Sequence, residues 1–126
     1  INELDNTSDA DFLIVPGGSC EDAGNHSHLH SLIQRINERN GLLAAICNGV
    51  LILASAGVLK NKSCTHTAYL KYAPLPEFKE LLDIAAKLFS GSFYVDEDVV
   101  VSDNIITAKP YASVKFADVV LKALSL

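Results

Sequence analysis

Cys47 is the residue whose setting most sharply suggests chemistry. In Ala45-Ile46-Cys47-Asn48-Gly49 the apolar run from Leu42 to Ile46 ends at the cysteine, and an apolar helical stretch from Asn48 to Ala56 follows at once. The thiol is therefore expected where a strand turns straight into a helix. That is nucleophile-elbow geometry, with the side chain held at the carboxyl end of a strand and Gly49 letting the backbone turn tightly. Amide N–H groups and the dipole at a helix start favour the thiolate, which is the reactive species. A buried core cysteine is the plain alternative, because free cysteine is among the most buried residue types. Two further segments weigh toward chemistry. Val15-Pro16-Gly17-Gly18 closes another apolar run, so in a parallel sheet it reaches the same carboxyl edge. Its glycines leave amide N–H groups uncovered, and with the N–H of Asn48 they could form an oxyanion hole. Ser63-Cys64-Thr65-His66-Thr67 brings His66 to the end of a third extended piece, from where an imidazole could orient the thiol or move protons. A histidine satisfied in the core or by solvent is the bland alternative.

Other reactive residue types carry less. His26, His28 and His30 alternate, yet ligands at i, i+2 and i+4 share a face only on a strand, and this segment reads as a loop entering a helix. His26 and His30 could meet at i, i+4, but solvated histidines are the favoured reading and no metal is assigned. Cys64 and His66 could face one side of a strand, without the two further ligands that a zinc site needs. Cys20, just past Gly18, reads as an incidental loop thiol near the pocket rim. Asp96-Glu97-Asp98 reads as a solvated turn rather than a catalytic acid cluster.

The elements that must position these residues follow from periodicity. Asp11 to Val15 is continuously apolar after its first residue and reads as a strand buried on both faces. Leu29, Leu32, Ile33 and Ile36 recur at helical spacing between Ser27 and Arg39, and Asn40-Gly41 supplies the stop. Leu42 to Ile46 is a second two-sided buried strand, and Asn48 to Ala56 a central helix closed by Gly57. Pro74 to Phe89 carries one apolar helical stripe. Phe93 to Val95, Val99 to Val101 and Ile105 to Ala108 are short strands, the last two a hairpin. Val114 to Leu124 closes the chain as an amphipathic helix expected to bury Val114, Phe116, Ala117, Val120, Leu121 and Leu124. Strands alternating with helices predict an α/β fold with a mostly parallel sheet and a late antiparallel hairpin.

Composition agrees with one compact domain over residues 1–126. The chain has 126 residues, 49 % apolar and 20 % charged, and 10 Lys+Arg against 15 Asp+Glu give a net charge of −5. An acidic chain with few aromatics lacks the basic stripe that nucleic acid requires. An anionic membrane surface is disfavoured on the same ground. The longest stretch of apolar character, Val50 to Ala56, falls well short of the roughly 18 residues of a spanning helix. The 3 cysteines have no framework-like spacing, so free thiols in a reducing cytoplasm are expected. There are 0 methionines and the chain starts Ile1-Asn2-Glu3, which implies that the true N-terminus lies upstream.

Val15-Pro16-Gly17-Gly18, Ala45-Ile46-Cys47-Asn48-Gly49, Ala56-Gly57-Val58-Leu59, Thr65-His66 and Ile106-Thr107 followed by Phe116-Ala117 together resemble the ThiJ/PfpI superfamily. This group is also called DJ-one-like and has the class I glutamine amidotransferase-like fold. The likeness runs from about Asp11 to Leu124. It implies a flavodoxin-like three-layer sandwich, a homodimer, Cys47 as the reactive thiol with His66 beside it, and Gly18 and Asn48 as oxyanion N–H donors. Gly17, Gly49 and Thr67 would line the substrate pocket. The family includes glyoxalase III and deglycase-type enzymes acting on 2-oxoaldehydes, isocyanide hydratases, peptidases, redox-responsive proteins and sensor domains.

Three departures narrow the choice. The family opens with a strand and helix carrying a glutamate that hydrogen-bonds the cysteine. Only residues 1–14 precede Val15, and neither Glu3 nor Glu21 has a matching context, so the acid is unassigned and expected upstream of Ile1. Peptidase-like members carry histidine immediately after the nucleophile, where this chain has Asn48. Amidotransferases place a His-x-Glu pair late in the domain, and no histidine follows His66. The expectation is thus a cytoplasmic, cysteine-dependent enzyme acting on a small carbonyl substrate, glyoxalase III or deglycase-like, without metal or organic cofactor. The alternative is a redox-responsive or ligand-sensing module in which Cys47 oxidises and no substrate turns over.

Overall fold

The structure, a computed structural model, describes residues 12–16, 27–66 and 87–124. Within them β1 (Phe12–Val15), β2 (Leu42–Ile46), β5 (Val99–Ser102) and β6 (Ile105–Ala108) form a four-stranded sheet of order β1-β2-β6-β5. β1, β2 and β6 run parallel, with Val15 opposite Ala45 and Ala45 opposite Thr107. β5 pairs antiparallel with β6 through the tight turn at Asp103-Asn104, where Asp103 takes φ 52°. The expected α/β fold with a mostly parallel sheet and a late antiparallel pair is therefore present. β3 (Ser63–Cys64) and β4 (Phe93–Tyr94) make a separate two-stranded parallel sheet. It is fastened to the larger one where the Ser63 N–H donates to Ser102 Oγ at 3.2 Å.

Alternation along β2 sorts the core into two layers. Leu43 and Ala45 point to the face covered by α1 (Ser27–Glu38) and α2 (Gly49–Ser55), where they pack with Leu32, Ile33, Ile36, Val50, Leu53 and Ile105. Ala44 points the other way, against Phe116 and Val120 of α3 (Ser113–Ala123) and Ile106 and Ala108 of β6. Helices on both faces of a parallel sheet give the three-layer sandwich. α1 ends as its residues require: Asn40 accepts the left-handed conformation at φ 57°, and the Gly41 N–H reaches back to the Ile36 carbonyl at 2.9 Å. That is a Schellman closure with asparagine rather than glycine at the left-handed position. The hairpin turn is tied to this corner, since Asn104 Nδ2 donates to Asn37 Oδ1 at 3.0 Å and to the Gly41 carbonyl at 2.8 Å.

Two burial expectations are corrected. β1 is not buried on both faces: Val15 is in the core, but Phe12 is 45 % and Ile14 42 % exposed. β1 is the edge of the described sheet, and α3 lies over β2 and β6 instead, so the Phe12 and Ile14 side has no described cover. In α3, Phe116 and Val120 are buried as expected, whereas Val114 is 84 % and Leu121 50 % exposed and Ala117 is exposed too. At roughly 100° per residue, Val114 and Leu121 lie about 150° around the helix from Phe116. The inward stripe is Phe116, Val119 and Val120, continued by Leu124 just past the helix end. The expected helix at 74–89 falls almost wholly outside the described residues.

Candidate active site

The elbow is built as its sequence demands. β2 ends at Ile46, Cys47 adopts φ 59°, and α2 starts at Gly49. A left-handed conformation in a side-chain-bearing residue is sparsely populated and costs of order 1–2 kcal/mol unless its surroundings enforce it. Here the enforcement is visible on both sides of the residue. The Cys47 N–H continues the β2–β6 ladder onto the Ala108 carbonyl at 3.0 Å, while the Cys47 carbonyl already accepts the Val50 N–H at 3.2 Å. Strand pairing up to the residue and helical bonding directly after it leave Cys47 to make the turn. Its side chain is half-buried at the carboxyl edge of the sheet.

Gly49 contributes differently from the expectation. Its φ lies outside the left-handed region; what requires glycine is proximity. A Cβ there would stand 2.5 Å from the Val15 carbonyl oxygen and 2.7 Å from that of Pro16. The first turn of α2 thus presses on the backbone leaving β1, which sets the end of β1 beside the elbow.

His66 follows β3. The Thr65 N–H donates to Thr107 Oγ1 at 2.9 Å, and Thr107 precedes the Ala108 whose carbonyl receives the Cys47 N–H. Cys47 and Thr65, the residue before His66, are therefore both anchored on the last residues of β6. The His66 ring is half-buried, stacked on Phe89 with centroids 4.1 Å apart and planes at 18°, and tilted against Tyr94 at 4.7 Å and 52°.

Asn48 begins the turn into α2 in right-handed geometry, φ −68° and ψ −13°. Gly17, Gly18, Thr67, Cys20, His26, Glu3 and Glu21 lie outside the described residues. His30 is not a loop histidine: its Nε2 is 2.7 Å from Ser55 Oγ. Because that hydroxyl donates to the Ile52 carbonyl at 2.8 Å, the imidazole is the donor, and it fastens α1 to α2. Cys64, on β3, is fully buried; desolvation pushes its thiol pKa up, only partly opposed by a hydrogen bond with Ser92. Among the described residues no three acidic, cysteine or histidine side chains cluster as a metal site would need.

A polar cluster near His66 escaped the sequence reading. Lys109, the first residue after β6, is only 6 % exposed, and its ammonium is hydrogen-bonded to Asp96 Oδ1. The hydrogen bond from Lys109 is the main reason the Asp96 carboxyl is held below its usual range, and the same bond raises the lysine. Tyr94 Oη also donates to Asp96 Oδ1, at 3.2 Å, and Lys109 Nζ lies 5.9 Å from the Tyr94 ring centroid. Asp98 accepts from Tyr111 Oη at 2.9 Å, which raises the phenol. Asp96 and Glu97 are exposed, as expected of a solvated turn, while Asp96 is bonded to Tyr94 and Lys109 and Asp98 to Tyr111. The available signal was a lysine directly following a strand whose four residues are apolar or small. An open depression of about 510 Å³ lies beyond it, lined by Asp98, Tyr111, Ala112, Val114, Lys115 and Asp118, and does not reach Cys47.

Residues 1–123 match the DJ-1/PfpI family. An uncharacterized protein of Methanocaldococcus jannaschii is 38 % identical over 115 residues, covering 90 % of this chain and 51 % of that protein. A glutathione-independent glyoxalase of Caenorhabditis elegans, DJR-1.2, is 26 % identical over 117 residues, covering 90 % and 55 %. The crystal structure of Drosophila melanogaster DJ-1beta superposes with a TM-score of 0.71 at 28 % identity, covering 94 % of this chain and 60 % of that one. The chain spans about half the length of the curated relatives it matches.

Proposed function

The chain belongs to the DJ-1/PfpI family, and on that premise we propose that it is a cysteine-dependent enzyme acting on small 2-oxoaldehydes, in the manner of a cofactor-independent glyoxalase. The observation that carries the reading is Cys47 itself, a non-glycine residue held at φ 59° between β2 and α2. Strain of this kind at the carboxyl edge of a parallel sheet is a mark of a functional position. The glyoxalase of Caenorhabditis elegans, matched over 90 % of this chain, supports the substrate class.

In the proposed reaction Cys47 Sγ adds to the aldehyde carbon of methylglyoxal. A C–S bond forms, and the carbonyl π pair moves onto oxygen to give a hemithioacetal. Amide N–H groups, those of Asn48 and Gly18, stabilise that oxygen while it carries charge. His66 serves as the proton carrier: the proton leaving the aldehyde carbon returns on the neighbouring carbon, which converts the adduct to a lactoyl thioester without an external oxidant. Water then cleaves the C–S bond, releasing lactate and restoring the thiol. The homodimer belongs to this proposal as well; exposed Val114 and Leu121 on α3 are compatible with a partner surface.

Full-length protein incubated with methylglyoxal should form lactate, and Cys47→Ser should abolish it. Wild type and Cys47→Ser that are equally inactive would overturn the enzyme reading and leave Cys47 as a thiol that senses rather than turns over substrate.

A further inference from the structure

We propose that Tyr94 is a positioning residue for His66, held in place by Asp96 and Lys109. The inference rests on the reading that His66 moves protons at Cys47.

A proton carrier must keep its ring nitrogens aimed, and an imidazole turns about two side-chain bonds. His66 lies past the end of β3, and two aromatic rings flank its imidazole, Phe89 stacked on it and Tyr94 tilted against it. Phe89 is anchored, since it packs on the core cluster shared by α1 and α2. Tyr94 lies on the two-residue β4 and is exposed, so packing alone would leave its ring free to swing.

The tether is polar. Tyr94 Oη donates to Asp96 Oδ1, and Lys109 Nζ is bonded to the same oxygen while standing 5.9 Å over the tyrosine ring. Lys109 is nearly fully buried and follows Ala108, the residue whose carbonyl receives the Cys47 N–H. The clamp therefore links the segment that holds the nucleophile's backbone to the ring that flanks the acid–base residue. Asp96 is the hinge of the arrangement, because it joins both donors and leaves the buried ammonium paired.

The test compares full-length wild type with Tyr94→Leu, Tyr94→Phe and Asp96→Asn, by methylglyoxal kinetics and by the NMR signals of the His66 ring protons. Misaimed proton transfer lowers kcat, roughly tenfold for Tyr94→Leu and about threefold for Asp96→Asn, with KM within about twofold. Tyr94→Phe keeps the ring without the tether and should fall between wild type and Tyr94→Leu. Losing the tyrosine ring changes the His66 shifts through its ring current alone, so Tyr94→Phe and Asp96→Asn, which keep a ring at position 94, carry this readout: the His66 ring protons should shift in both as the untethered ring swings. A kcat unchanged in Tyr94→Leu, a rise in KM alone, or His66 ring protons unmoved in both Tyr94→Phe and Asp96→Asn would each overturn the proposal. If wild type shows no turnover at all, the enzyme reading fails by itself, and the NMR comparison still decides whether Tyr94 holds His66. Tyr94→Phe guards against loss of fold, since it removes one oxygen from an exposed side chain.

Discussion

Replacing Gly49 by alanine tests the elbow at its tightest contact. A Cβ would stand 2.5 Å from the Val15 carbonyl oxygen and 2.7 Å from that of Pro16, where ordinary contact begins at 3.4 Å. Both clashing atoms are backbone, so no side-chain rotation relieves them; either α2 or the end of β1 must retreat by about 1 Å. Overpacking in a filled core costs about 1–3 kcal/mol. Two simultaneous backbone clashes put this site near 3. Alanine regains up to about 1 kcal/mol of helix propensity. The expected net loss is about 2 kcal/mol, which with a small-protein slope near 2 kcal/mol per molar lowers the urea midpoint by about 1 M. Because the displaced turn carries Cys47, alkylation of that thiol by iodoacetamide in the folded protein should change rate in the same variant. A Gly49→Ala protein as stable as wild type, with Cys47 alkylated at the same rate, would refute the claim that close approach rather than backbone freedom selects glycine here.

Cys47→Gly should remove the left-handed strain at φ 59° and leave stability unchanged or raised by up to about 1 kcal/mol, while lactate formation is lost; a fall in melting temperature would show that Cys47 is not strained. Cys64 gives a pH prediction. Its folded pKa is raised above the ordinary 9.0, so the folded state retains a proton that the unfolded chain releases, and stability should decline as pH rises above about 9. Denaturant titrations between pH 8 and about 10.5 should show that decline in wild type and a shallower one in Cys64→Ala.

What was legible in the sequence is what depends on neighbours along the chain. The apolar run Leu42 to Ile46, the abrupt start of α2 and the stop at Asn40-Gly41 are local patterns, and each element formed within a residue or two of its expected bounds. Burial was less legible, because it depends on which elements lie opposite. The run Phe12 to Val15 looks the same whether one face or both are covered, and only the sheet order makes it an edge strand. Val114 and Leu121 are apolar residues on the wrong side of α3, and composition alone drew them into the core stripe. The pairing of β3 with β4 joins segments far apart in sequence through two residues each, too short for any periodicity. The same distance hid the Tyr94, Asp96 and Lys109 cluster, whose members were legible separately as a strand residue, a turn acid and a strand-end lysine.

The left-handed conformation of Cys47 also bears on how such a chain changes over generations. Glycine would occupy that corner at no conformational cost, so selection for folding alone gives no reason to keep a side chain there. On the proposed reading of Cys47 as a nucleophile, a lineage that ceased to need the chemistry could lose it in one step and keep a protein at least as robust. Descendants of this fold with glycine at the elbow are then the expected remains of abandoned catalysis, recognisable by an intact scaffold around an empty corner.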